Sequence, residues 1–163
     1  METSSVRVLV VDDYEPFRRF VCSTLERRPD LQIIGEASDG LEAVQKAEGL
    51  QPDLIVLDIG LPTLNGLEAA RRIRKFSPES KILFLSQESS ADVVQEALGI
   101  GALGYVIKTH AGIELLAAVD AVHQGVPYVS GGLSGHVSEL SYTQAPNRLH
   151  SDEVFTPTPE AGD

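Results

Sequence analysis

Basic side chains are scarce in this 163-residue chain: 13 Lys and Arg stand against 24 Asp and Glu, a formal net charge of −11, with a pI near 4.7. Such a surface repels phosphodiester backbones, and no stretch gathers enough Lys and Arg to override it locally, so no direct nucleic-acid partner is expected. Cysteine is almost absent. Cys22 stands alone, which rules out an internal disulfide, fits a reducing compartment, and reads as a small buried apolar residue on a helix rather than a reactive thiol. Long apolar runs are missing too. None approaches the ~20 residues of a membrane span, and the N-terminus has no basic segment followed by a long apolar stretch. The expectation is a soluble, cytoplasmic protein with no membrane partner.

What remains has room for one ordinary domain and a short appendage, and a 42% hydrophobic content supplies a sizeable core. Runs rich in Val, Ile and Leu recur at Val6 to Val11, Leu31 to Ala37, Leu54 to Leu57, Lys81 to Ser86 and Leu103 to Ile107. Each is too short for a typical helix and nearly continuous, as parallel strands covered on both faces are. Helical spacing fills the gaps. Phe17, Phe20, Val21 and Leu25 share one face of a first helix that ends before Pro29, leaving Arg18, Arg19, Arg27 and Arg28 to solvent. Asp39 caps a second helix carrying Leu41, Val44 and Ala47, which Gly49 ends. Leu67, Ala70, Ile73 and Arg74 follow Gly66; Val93, Val94, Ala97 and Leu98 precede Gly99; Ile113, Leu116, Ala117 and Val119 precede Gly125. This alternation predicts an α/β fold, a doubly wound five-stranded parallel sheet with helices on both faces. After Gly125 the periodicity stops. Pro127 to Gly132 reads as an extended departure from the last helix and roughly the last thirty residues as a disordered tail, dividing the chain into a domain over 1–125 and a tail over 126–163.

In doubly wound sheets the ligand site lies beyond the C-terminal ends of the strands, at the switch in strand order. Asp12, Asp13, Asp58, Ser86 and Lys108 all fall there and should converge in one cleft. Asp58 opens a loop, Ile59 to Gly66, that Pro62 and two glycines hold in shape. A carboxylate so placed is an oxygen nucleophile for a phosphoryl group, a transfer that needs positioning and charge neutralisation more than covalent help. Mg²⁺ prefers oxygen ligands in octahedral geometry and keeps several waters, so Asp12, Asp13, Asp58 and the Gly60 carbonyl suffice. Three crowded carboxylates without a cation would raise one another's pKa, which gives the ion and Lys108 a clear electrostatic role. Lys108 neutralises phosphoryl oxygens and Ser86 donates a hydroxyl hydrogen bond to one of them.

Val8 to Asp13, Asp53 to Asp58 with Pro62 and Gly66, Ser86, and Tyr105-Val106-Ile107-Lys108 together resemble the receiver domain of two-component response regulators, of the FixJ/LuxR class, over about Val6 to Gln124. The resemblance implies a flavodoxin-like sheet of strand order 2-1-3-4-5. It makes Asp58 the phosphoacceptor, Asp13 a direct Mg²⁺ ligand, Asp12 a ligand mainly through water, and the Gly60 carbonyl another. Ser86 becomes the switch hydroxyl, Tyr105 the aromatic side chain that changes rotamer with it, and Lys108 the phosphate-pairing cation. The donor implied is a histidine kinase or phosphotransfer protein, the output is an unidentified downstream protein, and homodimerisation through the last two helices is allowed. The activity implied is self-phosphorylation and autodephosphorylation at Asp58, not enzymatic turnover.

Gln87 stands where many relatives carry a small residue, so access of water or a partner to the cleft should differ; Thr109 stands where many have proline. Relatives of this class usually continue into a helix-turn-helix domain, whereas nothing after Gly125 offers helical periodicity or a basic recognition helix, so output through DNA contact is not expected. Blander readings stand beside these. Asp12 and Asp13 read alone as a solvated turn, Ser86 as a helix cap that Ser89 or Ser90 could replace, and Tyr105 as a half-buried strand former. His110 and His123 lack a ligand partner at metal spacing and read as surface or cap residues; Arg71, Arg72, Arg74 and Lys75 read as the solvated face of the third helix or a docking patch for an acidic partner. Two rival functions remain, a degenerate receiver acting as a scaffold and a haloacid-dehalogenase-type phosphatase. The second needs an acid two residues after the nucleophile, where Gly60 stands.

Overall fold

A computed structural model describes residues 5–133. Six parallel strands form one sheet: β1 (Val6–Val11), β2 (Leu31–Ala37), β3 (Leu54–Leu57), β4 (Lys81–Ser86), β5 (Gly104–Ile107) and β6 (Tyr128–Val129). Their order is β2-β1-β3-β4-β5-β6, the expected 2-1-3-4-5 with one strand added at the edge. Helices α1 (Glu15–Leu25), α2 (Gly40–Leu50), α3 (Gly66–Phe76), α4 (Ala91–Ile100) and α5 (Ala111–His123) make the crossovers. The fold is the flavodoxin-like one.

Strand side chains alternate between two apolar layers, as a pleated strand buried on both faces requires. Val8, Val10, Leu54, Val56, Leu83, Leu85 and Val106 pack on Val21 and Leu25 of α1 and on Leu115, Ala118 and Val122 of α5. Leu9, Val11, Ile55, Leu57, Ile82, Phe84 and Tyr105 pack on α2, α3 and α4 through Ala43, Val44, Ala47, Ala70, Ile73, Val94 and Ala97. Asp39, Asn65 and Ser90 cap α2, α3 and α4 by accepting from the backbone N–H three residues on.

Several local expectations are corrected. Phe20 and Leu41 are exposed and do not belong to the buried faces of their helices. Ile113 and Ala117 of α5 also face solvent, Ile113 at 89% exposure, and Leu115, Ala118 and Val122 take the core side instead. Nearly every residue of α5 is small or apolar, so spacing could not choose the face. Helix α2 ends on left-handed Gln51 (φ 48°) rather than at Gly49, and α4 on Gly101 (φ 119°) rather than Gly99. Arg18 is not left to solvent: it donates to Glu36 and to the Asp12 carbonyl. Strand β5 begins at Gly104, one residue later than expected. The sheet has six strands, not five, because the extended departure after Gly125 pairs with β5. The tail expected over the final residues lies outside the described residues.

Candidate functional site

Strand register brings the scattered acids to one level. Val11 of β1 pairs with Ala37 and with Leu57, so Asp12 and Asp58 leave the sheet side by side, and the Asp58 N–H donates to the Val11 carbonyl at 3.1 Å. Ser86 pairs with Ile107 across β4 and β5, which sets Lys108 just beyond it. A cleft of about 460 Å³ opens here, walled by Asp13, Tyr14, Phe17, Asp58, Gly60, Ser86, Gln87, Glu88, Lys108 and Thr109. The convergence expected from the sequence is therefore present.

Within the cleft, oxygens of Asp12, Asp13 and Asp58 lie within 4.8 Å of one another. Asp12 and Asp58 are buried and Asp13 is exposed. Lys108 spans the two buried acids, its Nζ 2.8 Å from Asp12 Oδ2 and 3.2 Å from Asp58 Oδ2. The same ammonium sits 4.7 Å from the centroid of the Phe17 ring, a cation–π contact that fixes its approach. The Tyr14 N–H donates to Asp12 Oδ1 at 2.9 Å, closing the turn after β1. The donor set is hard oxygen, and its one cation leaves it net negative, which fits a divalent ion such as Mg²⁺ better than a soft metal. Gly60 lines the cleft beside these acids.

Burial raises the Asp58 pKa above its ordinary value of 3.8; Lys108 works against that rise and Asp12 adds to it. Desolvation, then, and not the crowding of acids, is the leading cause. Because the folded-state pKa lies above the unfolded one, the folded protein binds more protons between the two, and stability falls as pH rises through that window. Above it the cost is constant. Asp58→Asn removes the cost, so without divalent ion the variant should be more stable than the parent at pH 7, with the advantage disappearing as pH falls toward 4. Urea melts across this range check it; an advantage that grew on acidification would contradict it.

Ser86 is buried and accepts from the Glu88 N–H at 3.1 Å, and its hydroxyl also interacts with the Tyr105 phenol. Capping of α4 falls to Ser90. Tyr105 is not half-buried but fully buried, and its hydroxyl donates to the Glu88 carbonyl at 2.8 Å. Burial pushes its phenol up to about 12. Gln87 and Thr109, the two departures, both form part of the wall. The bond before Thr109 is trans, as are all peptide bonds among the described residues. In the loop after β3 it is Thr63 (φ 69°), not Gly60 or Gly66, that adopts the left-handed conformation.

Some expectations resolve outside the cleft. Cys22 is half-buried and its thiol is pushed up to about 11, chiefly by burial, which fits an unreactive thiol. His110 precedes α5 without capping it through its side chain, and its Nδ1 is 3.8 Å from Glu114. Arg71, Arg72, Arg74 and Lys75 lie exposed along α3, with Arg71 pairing to Glu68 and Glu96. Tyr14, Phe17 and Glu88 were missed as cleft residues. Tyr14 and Glu88 were signalled only by nearness in sequence to Asp13 and Ser86, and Phe17 was read onto the apolar face of the first helix.

Residues 8–120 match the response regulator receiver domain family. The chain is 36% identical over 132 residues to the transcriptional regulatory protein LiaR of Bacillus subtilis strain 168, covering 81% of this chain and 63% of that one. It is 43% identical over 111 residues to a protein-glutamate methylesterase/protein-glutamine glutaminase of Thermotoga maritima, covering 68% of this chain and 32% of that one. The chain thus spans about two thirds and one third of these relatives. Among solved structures, a two-component response regulator of the LuxR family from Aurantimonas sp. SI85-9A1 superimposes with a TM-score of 0.78 at 32% identity, covering 83% of this chain and 97% of that one. No described helix is long and apolar enough to cross a membrane.

Proposed function

The chain belongs to the response regulator receiver family of two-component signal transduction, and from that premise we propose that Asp58 takes a phosphoryl group from a phosphohistidine on a histidine kinase or phosphotransfer protein. An Asp58 carboxylate oxygen attacks phosphorus, the P–N bond breaks, and its electron pair leaves with the imidazole nitrogen. The product is an acyl phosphate, which water later hydrolyses back to the carboxylate. Beyond this self-modification no turnover is assigned. The observation that carries the reading is the cleft itself, in which Lys108 bridges Asp12 and Asp58 while three carboxylates gather within 4.8 Å.

Each neighbour has a defined task. Lys108 already faces an Asp58 oxygen, so its ammonium is placed to neutralise charge on the incoming group. Ser86 also lines the cleft, and its hydroxyl can turn from Tyr105 toward that group. Tyr14, Phe17 and Gln87 restrict water around the acceptor. Asp12, Asp13, Asp58 and the Gly60 carbonyl would hold Mg²⁺, which when bound neutralises the acids and the phosphoryl oxygens. The charge of about −2 now carried on the phosphoryl oxygens has to be balanced by Ser86 and Lys108, which moves the β4–α4 and β5–α5 connections and changes the surface offered to a downstream protein.

The test incubates the full chain with Mg²⁺ and acetyl phosphate, and separately with a cognate kinase. A mass gain of one phosphoryl group is expected, and none in Asp58→Asn. A gain that persisted in Asp58→Asn, or its absence with both donors, would refute the assignment.

A further inference from the structure

We propose that residues 127–133 are a strap that clamps β5 and is coupled to the phosphoryl cleft, so that its docking and the filling of the cleft reinforce each other. The inference rests on the phosphoacceptor reading and goes beyond it, because the strap lies outside the cleft and outside residues 8–120. Tyr128 N–H donates to the Leu103 carbonyl at 3.0 Å and Ser130 N–H to the Tyr105 carbonyl at 2.9 Å. Ser130 is fully buried, and its hydroxyl works in both directions: it accepts from the Ile107 N–H at 2.9 Å and donates to Glu114 Oε1 at 2.7 Å. One side chain therefore ties the strap to β5 and to α5. Leu133 completes the attachment, 4% exposed in the apolar layer that contains Tyr105, Val94 and Ala97.

The strap thus holds the two β5 residues through which the cleft is built. Tyr105 bonds the Glu88 carbonyl, and the Glu88 N–H bonds Ser86 Oγ, which faces the acceptor. Ile107 precedes Lys108, whose ammonium bridges the two buried acids. With the strap in place Tyr105 is fully buried, its hydroxyl held by the Glu88 carbonyl and set beside the Ser86 hydroxyl that lines the cleft. The docked strap and the anion-ready cleft are one arrangement, and whatever stabilises either must stabilise the other by the same factor.

Hydrogen exchange on the full chain, with Mg²⁺ and beryllofluoride as the phosphoryl analogue, tests this. Beryllofluoride should raise protection of the Tyr128 and Ser130 amides about 5-fold, a typical coupling between two sites, with the Val10 and Val56 amides reporting global opening separately. Leu133→Ala and Ser130→Ala should each weaken beryllofluoride affinity by about the same factor. Leu133 lies beyond the β5 ladder, so its truncation frees the strap even if Ser130→Ala fails to fold. Ile113→Ala, on the solvent side of α5, should leave affinity unchanged. If beryllofluoride binds at Asp58 while strap protection is unchanged or reduced, or if Leu133→Ala binds it as the parent does, the coupling is wrong and the phosphoacceptor reading survives. If beryllofluoride does not bind at all, both fall.

Discussion

Lys108→Met is expected to destabilise the protein by about 3 kcal/mol at pH 7 without divalent ion and to slow phosphorylation of Asp58 by about 10²- to 10³-fold. Methionine keeps an unbranched apolar stem against Phe17, so the loss isolates the charge. Removing that charge leaves Asp12 and Asp58 buried and facing each other with no counterion, the situation in which a broken buried pair costs most. Burial by itself pulls the Lys108 pKa down, but the hydrogen bond to Asp12 and then the field of Asp58 outweigh it and hold the ammonium above its ordinary 10.5. A raised lysine pKa contributes stability that is complete below 10.5 and is lost only as pH climbs through the raised value. At neutral pH the parent therefore keeps the whole contribution, and the deficit of the variant should be flat from pH 7 into the mildly alkaline range. On acidification it should shrink, because Asp58, whose pKa burial raises, takes up its proton. Mg²⁺ should recover most of the stability but not the rate, since an ion among the acids replaces the counterion without replacing the donor on the far side of the phosphoryl group. Urea melts with and without Mg²⁺, beside acetyl phosphate kinetics, separate the two effects. Stability equal to the parent in the absence of Mg²⁺ would mean that the ammonium is not engaged with the acids.

The same residues explain how much of the molecule was legible beforehand. Strands covered on both faces are nearly continuous in apolar residues, so β1, β3 and β4 announced their limits and β5 nearly so, while the edge strand β2 was legible despite Gln32 and Glu36 because Leu31, Ile33, Ile34 and Ala37 frame it. Chemistry at their ends was legible because charge terminates an apolar run only where the chain leaves the core. Register then does what sequence distance hides, aligning Val11 with Leu57 and Ser86 with Ile107. Helix faces were readable where polar residues outlined them, as in α3, and unreadable in α5, where Ala, Leu, Ile and Val fill both sides. Strand β6 was invisible because two residues carry no periodicity, and Ser130, a typical linker residue by type, is buried only because Ile107 and Glu114 converge on it. Glu88 escaped notice for a related reason. Its backbone, not its side chain, bonds Tyr105 and Ser86.

Gly66→Ala should damage the acceptor more than most changes made outside the cleft. A Cβ built there would lie 2.0 Å from the Asp58 carbonyl oxygen and 2.6 Å from the Ile59 Cα. Both are backbone atoms that no rotamer change can move aside. The Gly66 N–H also donates to the Ile59 carbonyl at 2.7 Å, which presses the start of α3 onto the loop that carries Asp58. Relief has to come from shifting that loop, at about 1–3 kcal/mol for overpacking in a tight site, and a displacement of the acceptor near 1 Å costs on the order of 10²-fold in rate. Gly49→Ala is the matched control. It lies within α2 with nothing within 4 Å of its added carbon, so it should gain about 0.5–1 kcal/mol from helix propensity and leave phosphorylation unchanged. Identical chemistry at two glycines should therefore act with opposite sign, one through contact with Asp58 and the other through chain entropy alone. Parallel denaturation and acetyl phosphate kinetics on the two variants check this. If Gly66→Ala kept the parent's rate and stability, the close approach of α3 to the Asp58 carbonyl would not be what positions the acceptor, and the β3–α3 loop would have to owe its shape to Pro62 and the left-handed Thr63 instead.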